Sequence, residues 1–246
     1  RQRQMCIRDR AVEKEQPAWE FEKTKKQAWE RWNKELSKIK IETSDDASRK
    51  IFYTALYHTM VAPSLFSDVD GAYRGADGKV YNKSRNVYTT MSLWDTYRAA
   101  MPLYHIIHPS KRADLINTML DIFDEQGKLP VWHLMGNETD CMVGNPGVIA
   151  VAEAIVKGIE GIDKERAYKA CKASVMLDER GQDIRKKYGY IPCDLYEEAC
   201  ANDMEYAIAD AAVANAARVL GHHEDEKFFR NRSHSWRNFF DKETQF

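Results

Sequence analysis

The sequence lacks the features that mark several large classes of protein. No stretch approaches the roughly 20 consecutive apolar residues needed to cross a bilayer, so no membrane span is expected. An excess of one charge is missing too. Lys and Arg number 37 against 38 Asp and Glu, a net charge of -1, which gives no electrostatic reason to expect a nucleic-acid partner. Cysteine is scarce. The five present are Cys6, Cys141, Cys171, Cys193 and Cys200. None pair as C-x-x-C and no histidine stands at zinc spacing from them. They are expected to be small buried hydrophobes, and their odd number argues against a complete disulfide framework.

The chain does have enough apolar residues to close a sizeable core: 43% of 246 residues are hydrophobic, within the globular range. Arg1–Arg10 is charged and aperiodic and has no apolar run of the kind a signal peptide carries. It reads as an adapter-like segment, with the folded part expected over 11–246. Both ends read as cut, so a missing leader is no argument for the cytoplasm.

The dominant pattern is helical, in successive pairs. Pro17 is placed to open a first helix whose Trp19, Trp29, Trp32, Leu36 and Ile39 recur at three-to-four spacing. Thr43 to Asp46 offers N-caps for a second helix, which Pro63 closes. Residues 66–90, with Asp70-Gly71 and Asp77-Gly78 around Tyr73, predict a β-hairpin or ordered loop over the helices. Helical pattern resumes near Leu93. A stripe of Leu115, Ile116, Met119, Leu120 and Phe123 ends at Gly127, a C′ residue. After the glycine-containing loop 136–147, helices follow over 148–159, 164–177, 196–220 and 225–240. The 196–220 helix is rich in alanine, which lets neighbours approach closely on all sides and suits an inner position. Antiparallel helix pairs with one inner and one outer member predict an all-α fold, part of an (α/α)6 toroid with a small β excursion.

One segment carries recognisable chemistry: Ser92-Leu93-Trp94-Asp95-Thr96-Tyr97-Arg98. Asp95 near a helix start is electrostatically favoured and accepts hydrogen bonds. Trp94 offers an apolar face for the C–H side of a sugar ring. Arg98, at i+3, is placed to hold the Asp95 carboxylate. Chemistry alone leaves two readings: a grip on a hexose, or an N-cap, a core Trp and a structural salt bridge. Asp203, Glu205 and Asp210 fall on the alanine-rich helix, where unpaired charge is unfavourable, so pairing with Arg or Lys is expected ahead of a general-acid role for Glu205. Glu197-Glu198 reads as a solvent-facing helix start, His133 as a structural or exposed histidine, and His222-His223 as a solvated connection. Tyr and Trp elsewhere at helical spacing read as core.

The heptapeptide resembles a signature of glycoside hydrolase family 92. Gly127-Lys128-Leu129-Pro130-Val131-Trp132 is similar to its Gly-x-Leu-Pro-x-Trp. Glu138 to Gly144 is similar to its Cys-Met-x-Gly loop, and Gly189 to Asp194, with Met204 to Ala207, to its Gly-Tyr-Ile-Pro and Leu-Glu-Tyr-Ala segments. These motifs fall in the family's order over about residues 17–246. Asn145-Pro146 and Ala199–Asp203 depart from the usual pattern, which leaves linkage specificity open. The resemblance implies a secreted or periplasmic, calcium-dependent, inverting exo-α-mannosidase acting on mannose-containing glycans. It implies Trp94, Asp95 and Arg98 in the sugar subsite, with Trp132 and Glu138 beside them. In the family the acid, the base and the calcium ligands belong to motifs beyond the Phe-Asp-x-Glu-Thr segment that Phe240 to Thr244 resembles. No catalytic or metal residue is therefore assigned here, and the chain alone is expected to be inactive. Two other readings stay open: another glycan-trimming toroid hydrolase, and a non-catalytic carbohydrate-binding or scaffold protein.

Overall fold

A computed structural model describes residues 2–245. The chain opens with α1 (Gln2–Glu15), α2 (Phe21–Leu36) and α3 (Asp46–His58). Asp45 caps α3 as expected, its carboxylate accepting from the Ala47 and Ser48 amides. The excursion that follows contains β1 (Ser64–Leu65), β2 (Ala72–Arg74), β3 (Val80–Asn82), β4 (Tyr88–Thr89) and β5 (Met91–Ser92). β2 and β3 form the predicted antiparallel hairpin, with Tyr73 opposite Tyr81, and β1 pairs with β4. The hairpin is laid over a helix: the Tyr73 hydroxyl donates to Glu125 at 2.7 Å and the Ala76 amide to the same carboxylate at 2.8 Å.

The helical part then runs through α4 (Leu93–Thr96), α5 (Ala100–Ile107) and α6 (Pro109–Gln126). A strand pair, β6 (Trp132–Leu134) and β7 (Asn137–Glu138), precedes α7 (Pro146–Val156), α8 (Lys164–Val175), α9 (Gln182–Tyr188), α10 (Ala199–Leu220) and α11 (His223–Arg232). A 3-10 turn over Ser235–Asn238 follows. Pro109 sits in the first turn of α6. Gly127 ends that helix at φ 85°, in the left-handed region where a Cβ is unfavourable.

The core lies between α6, α7, α8 and α10. Leu115, Ile116, Met119 and Leu120 of α6 meet Val148, Val151 and Ile155 of α7, all buried, and each such side chain contributes about 1.5–3 kcal/mol on burial. α10 packs against α7, α8 and α11. Its Ala207, Ala209, Ala214, Ala216 and Ala217 are buried, so the inner position inferred from its composition holds. The acids on α10 are paired. Arg185 of α9 reaches Asp210 at 2.5 Å and Asp203 at 3.4 Å, and Arg232 of α11 reaches Asp210 at 3.1 Å. This buried network ties three helices together.

Several expectations need correction. Pro17 lies in the connection between α1 and α2. α2 buries none of its residues: Trp29 is 65% exposed, and Trp19, just before the helix, 88%, so this aromatic stripe is not core in this chain. Cys171 is buried, but Cys141, Cys193 and Cys200 are exposed, because they stand on loops and on the outer side of the α10 start; the Cys6 side chain lies outside the described residues. The β structure is not confined to 66–90. β5, β6 and β7 form a three-stranded sheet, since Glu138 gathers the backbone amides of the turn between β6 and β7. The pattern also missed α9, too short for a clear period. The final helix stops at Arg232 instead of Phe240. The long helix begins at Ala199 instead of Tyr196, after Glu198 adopts φ 54°.

Candidate functional site

The three-stranded sheet delivers the site. Ser92 of β5 is in register with Trp132 of β6, and the chain turns at once into α4. Leu93 is fully buried and anchors that single turn. The Thr96 hydroxyl closes it by donating to the Ser92 carbonyl at 2.9 Å. Trp94 is half-buried and Asp95 exposed.

Arg98 organises the turn, though not as expected. Its guanidinium binds Glu205 of α10 at 2.7 Å instead of the Asp95 carboxylate. The reason is the shortness of α4: the chain leaves the helix after Thr96, so the i+3 face does not persist to Arg98. The Arg98 Nε donates to the Trp94 carbonyl at 3.2 Å. Its guanidinium carbon lies 5.0 Å from the Trp94 ring centre and 4.6 Å from that of Tyr97, within cation–π range. The Tyr97 hydroxyl donates to the second Glu205 oxygen at 3.0 Å. Burial, reinforced by Glu205, pushes the Tyr97 hydroxyl pKa up to about 12, so it remains a donor. The hydrogen bond to Glu205 raises Arg98 further. Glu205 is thus held between a cation and a phenol, which suits an anchor better than a proton donor to substrate.

Asp95 makes no hydrogen bond or ion pair among the described residues, so both carboxylate oxygens are available for a ligand. The Trp94 Nε1 is buried without a hydrogen-bond partner among those residues. The partly exposed indole beside the exposed Asp95 carboxylate offers an apolar face and up to four acceptor sites to a polyol.

Trp132 and Glu138 reach the same sheet with different duties. The Glu138 carboxylate accepts from the Val131, Trp132, Thr139 and Asp140 amides at 2.8, 2.8, 3.0 and 3.0 Å. Four donors occupy most of its acceptor capacity, so Glu138 fixes the β6–β7 turn and the placement of Trp132. His133 is buried, and burial lowers its pKa. His222 stacks on Tyr168, with ring centres 4.7 Å apart, so this half of the connection is partly packed; His223 is solvated, with its side chain 82% exposed.

Sequence reasoning missed the loop over 140–145 as a packing element. Gly144, at φ 76°, lies against Glu205: a Cβ there would sit 2.4 Å from the Glu205 Cβ. Its amide donates to Asn202 at 3.3 Å. Arg180 holds the loop from the other side through the Gly144 carbonyl at 3.0 Å and the Met142 carbonyl. The glycine in the Cys-Met-x-Gly motif was the available signal, but its partner on α10 is 61 positions away in sequence.

Comparison with known proteins agrees with this architecture. The model of the glycosyl hydrolase family 92 catalytic domain matches residues 9–246. The structure of a family GH92 α-mannosidase from Bacteroides thetaiotaomicron superposes with a TM-score of 0.92 at 36% identity, over 96% of this chain and 32% of that one. A family GH92 inverting mannosidase from Bacteroides thetaiotaomicron VPI-5482 gives 0.82 at 29% identity, over 89% and 31%. An uncharacterized secreted glycosidase of Arthroderma benhamiae is 25% identical over 93% of this chain and 28% of its own length. The chain therefore spans about a third of the length of these relatives. Its helices form part of an (α/α)6 toroid, and by family model and structural likeness together the chain belongs to the glycosyl hydrolase family 92 catalytic domain, a family of glycoside hydrolases.

Proposed function

We propose that this chain forms one wall of the sugar site in an exo-α-mannosidase that releases terminal mannose from glycans with inversion. The observation that carries the reading is the Trp94–Asp95 pair: an exposed carboxylate with no hydrogen bond or close ion pair among the described residues, beside an indole that packs on the Arg98 guanidinium. A pyranose ring can place its C–H face on the indole and two hydroxyls on the carboxylate. Support for mannose comes from the likeness to the two Bacteroides thetaiotaomicron mannosidases, and support for inversion from the second of them, an inverting enzyme.

Inversion requires one carboxylic acid to protonate the leaving oxygen and an opposed carboxylate to activate water. In this reading the chain positions the sugar, and none of its residues is assigned to that pair. Glu205 is not its acid, because Arg98 and Tyr97 occupy both of its oxygens. Calcium enters through the family resemblance; as a hard cation it takes oxygen ligands, sugar hydroxyls among them. Among the described residues no group of three or more His, Cys, Asp or Glu side chains is placed to hold a metal, so no residue of this chain is assigned to it. The secreted relative supports a location outside the cytoplasm. No helix among the described residues is long and apolar enough to cross a membrane.

The test is the anomer released first by the intact parent enzyme from an aryl α-mannoside, followed by proton NMR. β-Mannose appearing ahead of mutarotation, and lost on chelation of calcium, is expected. α-Mannose first contradicts inversion, and sugar binding without turnover would favour a non-catalytic protein.

A further inference from the structure

Two carboxylates compete for the Arg98 guanidinium, and only one of them binds it. We infer that Glu205 is a positioning residue for the sugar site: by holding Arg98 against the Trp94 ring it keeps the Asp95 carboxylate free to accept from the substrate. The inference rests on the mannosidase reading and adds to it the residue that keeps the site's acceptor open.

The competition begins in the sequence. Asp95 and Arg98 stand three positions apart, a spacing at which opposite charges on a helical turn attract each other. Paired in that way, the Asp95 oxygens would be taken by the protein. In the structure the Arg98 Nη2 donates to the Glu205 Oε1 at 2.7 Å, and Asp95 makes no hydrogen bond or ion pair among the described residues. The hydrogen bond to Glu205 is the largest cause raising the Arg98 pKa, and the Asp95 charge adds to it through space. Asp95 therefore lies in the field of the guanidinium without binding it.

Glu205 prevails because it is less screened and better fixed. Its side chain is 11% exposed, whereas Asp95 is open to water, and attraction between charges weakens as the surroundings approach the dielectric constant of water. The Tyr97 hydroxyl donates to its second oxygen at 3.0 Å, and Gly144 lies against its Cβ. Asp203 and Asp210, which flank it on α10, are tied to Arg185. The anchor therefore does not move with Arg98. Without Glu205, Asp95 is the one other carboxylate whose charge acts on that guanidinium. A swing of Arg98 toward Asp95 takes two things from the site. The Trp94 indole loses the cation packed on it, and Asp95 loses acceptor capacity for sugar hydroxyls. Those hydroxyls do not react, so the loss falls on ground state and transition state alike and is read in KM. Removal of a general acid would be read in kcat instead.

The experiment compares wild type, Glu205→Met, Glu205→Gln, Arg98→Met and the double variant Glu205→Met with Arg98→Met. Each is made in the intact parent enzyme and assayed on an aryl α-mannoside, with unfolding midpoints recorded alongside. Glu205→Met, which keeps the volume and removes the acceptor, should raise KM at least about tenfold with kcat within about threefold of wild type. Glu205→Gln keeps an oxygen toward Arg98 and should raise KM only about two- to threefold. A residue that acts through Arg98 has no effect once Arg98 is gone, so the double variant should match Arg98→Met alone. Losses that multiply in the double variant, or a fall in kcat at unchanged KM, overturn the inference. A second readout needs no turnover. In protein labelled with 5-fluorotryptophan, the Trp94 fluorine resonance is identified by its absence from Trp94→Phe. It should shift in Glu205→Met in the direction seen in Arg98→Met, and a resonance at the wild-type position overturns the inference. If wild type cleaves no mannoside, the mannosidase reading fails on its own and the fluorine resonance decides the role of Glu205. If Glu205→Met does not fold, Glu205→Gln carries the test, and wild-type KM together with a wild-type resonance in that variant overturns the inference.

Discussion

The Arg98 guanidinium lies 2.7 Å from the Glu205 carboxylate and joins the turn after β5 to the middle of the inner helix α10. The same guanidinium lies beneath the Trp94 ring, so the sugar platform and the toroid interior share one cation. Without it, Glu205 would be left almost buried beside Tyr97 with no charge partner.

Arg98→Met is therefore expected to destabilise the protein. Breaking a fully buried pair costs about 3–5 kcal/mol, whereas exposed pairs contribute about 0–1 kcal/mol. The Arg98 side chain is 45% exposed and that of Glu205 11%, so a loss of about 1–2 kcal/mol is expected. Urea denaturation of wild type and variant measures it. Equal midpoints would show that the pair adds nothing to the fold.

Gly144→Ala should act on the same place from the opposite side. The new Cβ meets the Glu205 Cβ at 2.4 Å and the backbone is at a positive φ, so steric and conformational penalties add. A loss of about 1–3 kcal/mol is expected, with reduced turnover in the intact enzyme. A control at Gly78, where φ is also positive but a Cβ would meet nothing within 4 Å, separates the two terms. If both variants lose the same stability, the contact with Glu205 is not what matters.

Acid should weaken the fold through His133 and His108. Burial is the largest cause lowering the pKa of both below the ordinary value of 6.5, opposed by Glu138 at His133, and at His108 reinforced by Lys38 and Lys111 and opposed by Glu35. Each is neutral when folded, and the unfolded chain takes up the proton first. The stability they contribute is thus complete above about pH 6.5 and is lost as pH falls toward the folded pKa, at up to about 1.4 kcal/mol per pH unit for each group. Thermal unfolding between pH 7.5 and 5 tests this in wild type and His133→Asn. The variant should show the shallower decline; identical slopes would place His133 outside the effect.

The helical class, the alanine-rich inner helix and the hairpin over 66–90 were legible because each has a strong local signal: spacing of 3.6, all-round small residues, and paired Asp-Gly turns. The pairing of Asp203 and Asp210 was also legible, since charge on an inner helix needs a partner. What escaped was long-range. Arg98 choosing Glu205 over Asp95 depends on α4 lasting a single turn, which the pattern near Leu93 does not reveal. The β6–β7 pair depends on Glu138 collecting four amides, a local arrangement with no periodicity. α2 kept its amphipathic spacing, and Trp19 and Trp29 are nevertheless exposed, because periodicity says that a face is apolar and not what covers it. Of the sugar-site candidates, Trp94 and Asp95 stand on the helical turn that follows β5 and Trp132 opens β6, while Glu138 is engaged by backbone.

The most direct measurement is kcat/KM of the intact parent enzyme on an aryl α-mannoside for wild type and Asp95→Ala, with circular dichroism and unfolding midpoint recorded beside it. Asp95 is exposed and makes no hydrogen bond to the protein among the described residues, so the fold should be unaffected by its removal. A loss in kcat/KM of at least about tenfold, or roughly 1.4 kcal/mol, at unchanged stability is the predicted result. Kinetics matching wild type with an intact fold would contradict the assignment of Trp94 and Asp95 to the sugar site.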